Sequence, residues 1–358
     1  MTDTTPVIVR TRGHIGRLTL NRPKALNALD LDMIRLMTKA LMTWRADDAI
    51  VGVVVDGAGE KAFCAGGDIR ALVDGRHGAQ YAHRFYAEEY RLNTLIKEYP
   101  KPYVAMIDGI VMGGGVGVSV HGAHRIAGDR TLFAMPETGI GFYPDVGGSY
   151  FLPRLEGELG TWLALTGARL KAADLMALGI ATAYAPSEQH TDIIAALEEE
   201  VCRPSHVRAV INSLTGRPGP APVRVHKRLI NTAFAGDRVE DILARLAEDG
   251  SEWANEQAKI IATKSPTSLK VTRRQMREGK VRDFRACMAM ELGLSLKFVR
   301  GKDFSEGVRA LLIDRDNAPR WQPARLADVS AADVAAFFTP LPEPERLTFL
   351  PDIPDKET

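Results

Sequence analysis

Two acids and two glycine-rich loops are the parts of this chain whose residue types and spacing could do chemistry. Gly113-Gly114-Gly115 removes three successive Cβ atoms, so backbone N–H groups there can approach a ligand that side chains would block. The apolar run Val116-Gly117-Val118-Ser119-Val120 follows at once and predicts a helix starting at the glycines. The free amides of its first turn, and its dipole, suit an oxyanion. Ala65-Gly66-Gly67 is a second stretch of unshielded amides, ahead of a short helix predicted from Asp68. Two such loops, each closing a strand, could offer two N–H donors to one oxygen. Glu137, behind the break at Pro136, and Asp145, eight residues on, could then act beside that oxygen as base, acid or nucleophile.

Taken singly, each of these residues has a structural reading. Three glycines before an apolar run serve close helix packing. A Glu after Pro is a favourable charge at a helix start. Asp145, between Pro144 and Val146-Gly147-Gly148, suits an N-cap or a turn. Glu89, in the pair Glu88-Glu89, reads alone as a solvated helix face, and Lys24 as surface.

The elements that must position these groups alternate between strand and helix. Residues 7–12 and 17–20 read as a hairpin around Gly13-His14-Ile15-Gly16. Residues 21–29 form a Pro-broken loop, and Asp30 caps a helix in which Met33, Ile34, Met37, Leu41 and Trp44 recur at helical spacing. Residues 51–56 read as a strand buried on both faces. An amphipathic helix is predicted over 80–98, and strands over 103–107, 125–127 and 131–134. This alternation argues for a mixed α/β architecture. From Gly157 onward helices dominate, with a last short strand near 180–184 and an all-helical stretch over about 205–320. The division expected is a site-bearing core over 1–200 and a helical C-terminal region over 201–358, whose tail from Pro319 is proline-rich and reads as extended or loosely packed.

Composition narrows the function classes. The chain has 358 residues, and 46 Lys+Arg against 45 Asp+Glu leave a formal net charge of +1. No global field points to nucleic acid or to a membrane surface. No apolar run approaches the roughly 20 residues of a membrane span. Cys64, Cys202 and Cys287 form no Cys-x-x-Cys pair and read as reduced thiols. His121 and His124 have no nearby acid or Cys to complete a metal set, so no metal is expected. The phosphate-binding Gly-x-x-x-x-Gly-Lys loop and the Gly-x-Ser-x-Gly elbow are both missing. The amino end shows neither a signal-peptide core nor an Arg/Ser-rich presequence, which predicts a cytoplasmic protein.

LNRPKALNAL, KAFCAGGDIRAL and DGIVMGGGVGVSVHG resemble the crotonase (enoyl-CoA hydratase/isomerase) superfamily, and MPETGIGFYPDVGGSYFLPRL resembles its 3-hydroxyisobutyryl-CoA hydrolase branch, which acts in valine breakdown. The resemblance implies a spiral of ββα units covered by the helical C-terminal region. It implies an acyl-CoA partner as substrate rather than cofactor, with the thioester oxygen held by the amides of Gly67 and Gly114. Lys24, Ala25 and Ala65 would lie along the CoA. Glu89 would contact the substrate and could accept a hydrogen bond from its 3-hydroxyl. Glu137 and Asp145 would be catalytic, and both would face the acyl group together with Gly114. Superfamily members form trimers or hexamers, which implies a homo-oligomer, although the long C-terminal region departs from the shorter hydratases. In those hydratases a glutamate follows the third glycine by two residues and pairs with a second glutamate; here that place is Gly117. One acid of the hydration pair is missing, so hydrolysis is favoured over hydration. A hydratase or isomerase using Glu137 alone, and a non-catalytic acyl-CoA-binding protein, are the alternatives.

Overall fold

Nine strands make two sheets in the computed structural model, which describes residues 4–73 and 80–350. The strands are β1 (Val7–Arg12), β2 (Ile15–Leu20), β3 (Gly52–Gly57), β4 (Ala62–Cys64), β5 (Tyr103–Ile107), β6 (Ile110–Met112), β7 (His124–Ala127), β8 (Leu132–Ala134) and β9 (Ala183–Tyr184). The larger sheet runs β1-β2-β3-β5-β7-β9 and the smaller β4-β6-β8. β1 is antiparallel to β2, and the other pairings between these strands are parallel. The chain thus winds as a spiral. Each turn gives one strand to the large sheet, one to the small sheet, and then a helical segment. The mixed α/β class, with a helical C-terminal region, is the architecture observed.

Local chemistry accounts for most of these elements. The hairpin turn is Gly13-His14, with Gly13 at φ +55°, so β2 begins two residues earlier than expected and buries Ile15. Asp30 caps the Leu31–Ala46 helix by accepting from the Met33 amide. In β3 the run Val53-Val54-Val55 is fully buried, as a parallel strand covered on both faces must be.

The expected picture lacked β4 and β6. Each is three residues long and runs straight into a glycine-rich stretch that reads as loop. They exist because Ala62 and Cys64 pair with Ile110 and Val111, and Ile110 to Met112 pair with Leu132 to Ala134. The glycine loops therefore close strands of the small sheet rather than the long buried ones. The predicted helix at the glycines is a single turn, Gly114–Gly117, so amides are presented there without a long dipole behind them.

Helices of the second half pack across the first without a break. Pro204–Leu214 buries Val207, Val210 and Ile211 against the large sheet, so packing continues across residue 200. The segment after Pro319 is docked rather than loose. It forms the Ala331–Phe337 helix, buries Val334, Leu341 and Leu347, and is held where Trp321 Nε1 donates to the Thr263 carbonyl (3.0 Å) and Lys297 Nζ to that of Phe337 (2.8 Å). Apolar residues spaced among the prolines supply that docking. The last part of the tail, 351–358, lies outside the described residues.

Candidate active site

The small sheet delivers the site. At the same end of its three parallel strands, β4 leads into Ala65-Gly66-Gly67, β6 into Gly113-Gly114, and β8 into Pro136-Glu137. These loops line one cavity of about 680 Å³, and all eight residues singled out from the sequence border it: Lys24, Ala25, Ala65, Gly67, Glu89, Gly114, Glu137 and Asp145.

The amide of Gly67 is left free by its neighbours' pairing. Leu29 N donates to Gly66 O (2.8 Å) and Asp68 N to Leu29 O (2.8 Å), a parallel bridge that uses one edge of the loop. In extended backbone successive N–H groups point to opposite sides, so the Gly67 N–H faces away from Leu29. Among the described residues neither the Gly67 nor the Gly114 amide donates to a protein group. Asn27 braces this arrangement from behind. It is fully buried, donates to the carbonyls of Ala58 (3.0 Å) and Ala62 (2.9 Å), and accepts from the Arg22 amide (2.9 Å).

The three consecutive glycines do three different things. Gly113 takes φ +47° and ψ −122°, which only glycine adopts readily. A Cβ on Gly114 would stand 2.7 Å from Glu89 Oε1 and 3.1 Å from Leu29 Cδ1, so its bareness is what lets the carboxylate come close. A Cβ on Gly115 would lie 2.1 Å from the Cys64 carbonyl oxygen, which makes that glycine a packing residue. Gly117 lies away from the cavity. A Cβ there would meet Val146 Cβ at 2.7 Å and Asn93 Nδ2 at 2.8 Å. Gly117→Glu is therefore expected to lower stability by about 3 kcal/mol or more through overpacking, without creating a second cavity-facing acid. A thermal melt and a hydration assay on the variant check this; a well-folded hydratase would contradict it.

Three buried carboxylates face the cavity. Glu137 opens the short helix Glu137–Ile140, is 6 % exposed, and has no partner for Oε2 among the described residues. Burial first, and Asp145 second, hold its pKa well above the ordinary carboxylate range. Glu89 is buried rather than solvated, at 2 % exposure. It shares a face of the Tyr81–Lys97 helix with Phe85 and Asn93 at spacings of four. Its Oε1 is also unpartnered, and burial, then Asp145 and Glu291, push its pKa well up. Burial raises the Asp145 carboxyl to about 7, and its Oδ2 lies 2.8 Å from the Tyr90 hydroxyl.

The loop carrying Asp145 is pinned from the C-terminal helices, which no local motif announced. Glu291 accepts the amides of Gly147 (2.8 Å) and Ser149 (2.9 Å), and burial lifts its pKa to about 8. Gln275 Nε2 donates to the Pro144 carbonyl (2.6 Å) and to Ser149 Oγ (2.9 Å). Val146 sits at φ +49°, unfavourable for a β-branched residue, with its carbonyl accepting from His121 Nε2 (2.7 Å). His121 is thus a buried hydrogen-bonding residue, and burial drives its pKa down to about 3.

At the cavity mouth Lys24, Arg70 and Arg315 bring positive charge, while Asp68 is tied to Arg22 (3.1 Å). Leu311 and Leu312, on the helical turn Arg309–Ile313, close the same rim.

The family described as Enoyl-CoA hydratase/isomerase matches residues 15–338. The chain is 48% identical over 351 residues to a rat protein named 3-hydroxyisobutyryl-CoA hydrolase, mitochondrial, covering 95% of this chain and 90% of the relative. The human protein of the same name is 46% identical over 346 residues, covering 94% and 89%. Among solved structures, a carnitinyl-CoA dehydratase from Mycobacterium thermoresistibile superposes with a TM-score of 0.90 at 41% identity, covering 96% of this chain and 98% of that one. An enoyl-CoA hydratase from Rhodobacter sphaeroides 2.4.1 gives 0.88 at 37% identity, covering 96% and 100%. The rat and human relatives are named mitochondrial, which overturns the cytoplasmic expectation. That expectation rested on amino-end composition, the cysteines and the lack of a long apolar run, whereas compartment is specified by address segments read apart from the fold.

Proposed function

This chain belongs to the enoyl-CoA hydratase/isomerase family, and from that membership we propose that it is an acyl-CoA thioester hydrolase acting on 3-hydroxyisobutyryl-CoA, in valine breakdown. The Gly67 and Gly114 amides hold the thioester oxygen as it gains charge. Glu137 attacks the carbonyl carbon or takes a proton from a water that does. Asp145 assists proton transfer, and Glu89 accepts the substrate's 3-hydroxyl, which would give its unpartnered Oε1 a donor. Lys24, with Ala25 and Ala65 beside it, lies along the CoA, whose phosphates suit the positive rim. Hydrolysis by these groups calls for no cofactor.

The observation that carries this reading is the pairing of bare amides with Glu137 and Asp145 in one cavity while position 117 has neither a side chain nor room for one. The two solved neighbours are named for dehydration and hydration, and the resemblance implies a second glutamate for that chemistry. Here the residue at that place is Gly117. The test is release of free CoA from 3-hydroxyisobutyryl-CoA alongside hydration of crotonyl-CoA. Thiol release without hydration supports the proposal. Hydration without thiol release replaces it with the hydratase, and tight binding of both with no turnover replaces it with an acyl-CoA carrier.

A further inference from the structure

Behind Asp145 lies a closed chain of hydroxyl groups that the reaction does not touch. Asp145 Oδ2 is 2.8 Å from the Tyr90 hydroxyl, Tyr90 is 2.6 Å from Ser295 Oγ, Ser295 is 2.7 Å from the Tyr143 hydroxyl, and Tyr143 is 2.6 Å from the Glu291 carbonyl oxygen. Tyr90, Tyr143 and Ser295 are wholly buried. The Tyr90 and Tyr143 hydroxyls are 3.4 Å apart, beyond a good O–H···O bond.

These contacts can be counted in protons. A carbonyl oxygen only accepts, so Tyr143 must spend its proton on Glu291. Tyr143 can then only accept from Ser295, and Ser295, with its proton used, can only accept from Tyr90. Tyr90 in turn has none left for Asp145. Four short contacts need four hydrogens, and the three hydroxyls supply three. If Asp145 is ionised, one of these four O···O contacts, each 2.6 to 2.8 Å long, is left with lone pairs facing each other inside the core.

We infer that Tyr90, Ser295 and Tyr143 are positioning residues that keep a proton on Asp145, making it the acid of the Glu137–Asp145 pair. The inference rests on the hydrolase reading for its role in turnover, but not for the protonation itself. The groups around Asp145 are Glu89, Glu137 and Glu291 and the hydroxyls of Tyr86, Tyr90 and Tyr143, with no cation among the described neighbours, so burial and like charge work in the same direction. Burial also raises Glu137, but a proton placed on its Oε2 would find no acceptor, whereas one on Asp145 has Tyr90. With the pair's proton on Asp145, the like charge facing Glu137 is gone and its ionisation is opposed by burial alone.

The step then balances. Water gives its proton to Glu137 and its hydroxide to the carbonyl carbon. The C–S bond breaks, and the sulfur takes the Asp145 proton. Acid and thiol leave, and the proton on Glu137 passes to Asp145 to reset the pair. If Glu137 attacks directly, the sulfur takes the same Asp145 proton and water then opens the anhydride.

The test uses carbon-13 NMR of the full-length protein labelled at aspartate carboxyls, with Asp145 assigned by Asp145→Asn. Removing a buried hydroxyl near a carboxyl ordinarily raises its pKa, because the anion loses a favourable dipole. Here Ser295→Ala and Tyr143→Phe each release Tyr90 to donate to Asp145, so both are expected to lower the Asp145 midpoint by about 1 pH unit. The upper pH limit of thiol release should move down with it, with the melting temperature as a check on folding. An Asp145 midpoint that stays or rises in either folded variant overturns the inference. Because the NMR titration needs no substrate, absence of thiol release by the wild-type protein would sink the hydrolase reading and leave this result separately decided.

Discussion

Glu137→Gln is expected to lower thiol release about 10³- to 10⁴-fold while leaving acyl-CoA binding within a fewfold, since a positioned acid or base commonly contributes at this level. The substitution keeps the shape of a side chain that is 6 % exposed and removes only its charge. A neutral amide can neither attack the thioester carbon nor take a proton from water. The proposed oxyanion amides and the positive rim remain, so binding measured by calorimetry should survive. Activity within tenfold of wild type would take Glu137 out of the mechanism. A single turnover in heavy-oxygen water, followed by mass analysis of the peptide bearing Glu137, then separates nucleophile from base: label in the side chain means attack, and label in the product alone means water was the nucleophile.

Gly114→Ala is expected to cost about 2.7–4 kcal/mol of barrier, or 10²- to 10³-fold in kcat, the usual effect of losing one oxyanion donor. The new methyl would arrive 2.7 Å from Glu89 Oε1 and 3.3 Å from the Gly66 carbonyl carbon. It therefore pushes apart the two loops whose amides must meet at one oxygen. Gly114 begins a helical turn and does not have a positive φ, so alanine brings no backbone strain and the protein should still fold. Gly115→Ala is the contrasting control. Its methyl would lie 2.1 Å from the Cys64 carbonyl oxygen, a backbone atom of β4 that cannot swing aside. That variant should lose stability, by about 3 kcal/mol or more. Equal kcat for Gly114→Ala and wild type would remove the Gly114 amide from the site, whatever the melting temperatures.

Much of the site was legible because chemistry at strand ends is written locally. A bare amide needs glycine, and an acid needs Asp or Glu. The three loops that matter each leave a strand of one small sheet, so the residues fall in short runs that can be read without knowing the sheet. Glu89 was read through the resemblance. As a member of Glu88-Glu89 it reads as a solvated face, and the difference is direction: Glu88 pairs with Arg35 near the surface (2.7 Å), whereas Glu89 turns inward beside Phe85 and Asn93. Helical phase alone could have shown this, since Phe85, Glu89 and Asn93 follow one another at four-residue spacing.

The supporting layer was not legible. Tyr90 and Ser295 meet across 205 residues, and Glu291 reaches the Gly147 amide across 144. No window of sequence contains both partners of such a contact. A serine or glutamate on an apolar helix carries no mark of what it will face. β4 and β6 failed for a related reason, since each leads directly into glycines that read as loop and is defined by pairing with a strand remote in sequence.

The sequence by itself supplied the groups the proposed reaction uses: two bare amides, Glu137 and Asp145, and the loss of a side chain at Gly117. Residue type and short-range spacing are enough for that, because they decide which atoms exist and in what order the chain presents them. Tertiary structure decided how those atoms are charged. The walls that bury Glu89, Glu137 and Asp145 together, and the hydroxyl chain from Tyr90 to the Glu291 carbonyl, come from segments remote in sequence. Proton affinity depends on solvent exclusion and on neighbours within a few ångströms, and only packing sets either.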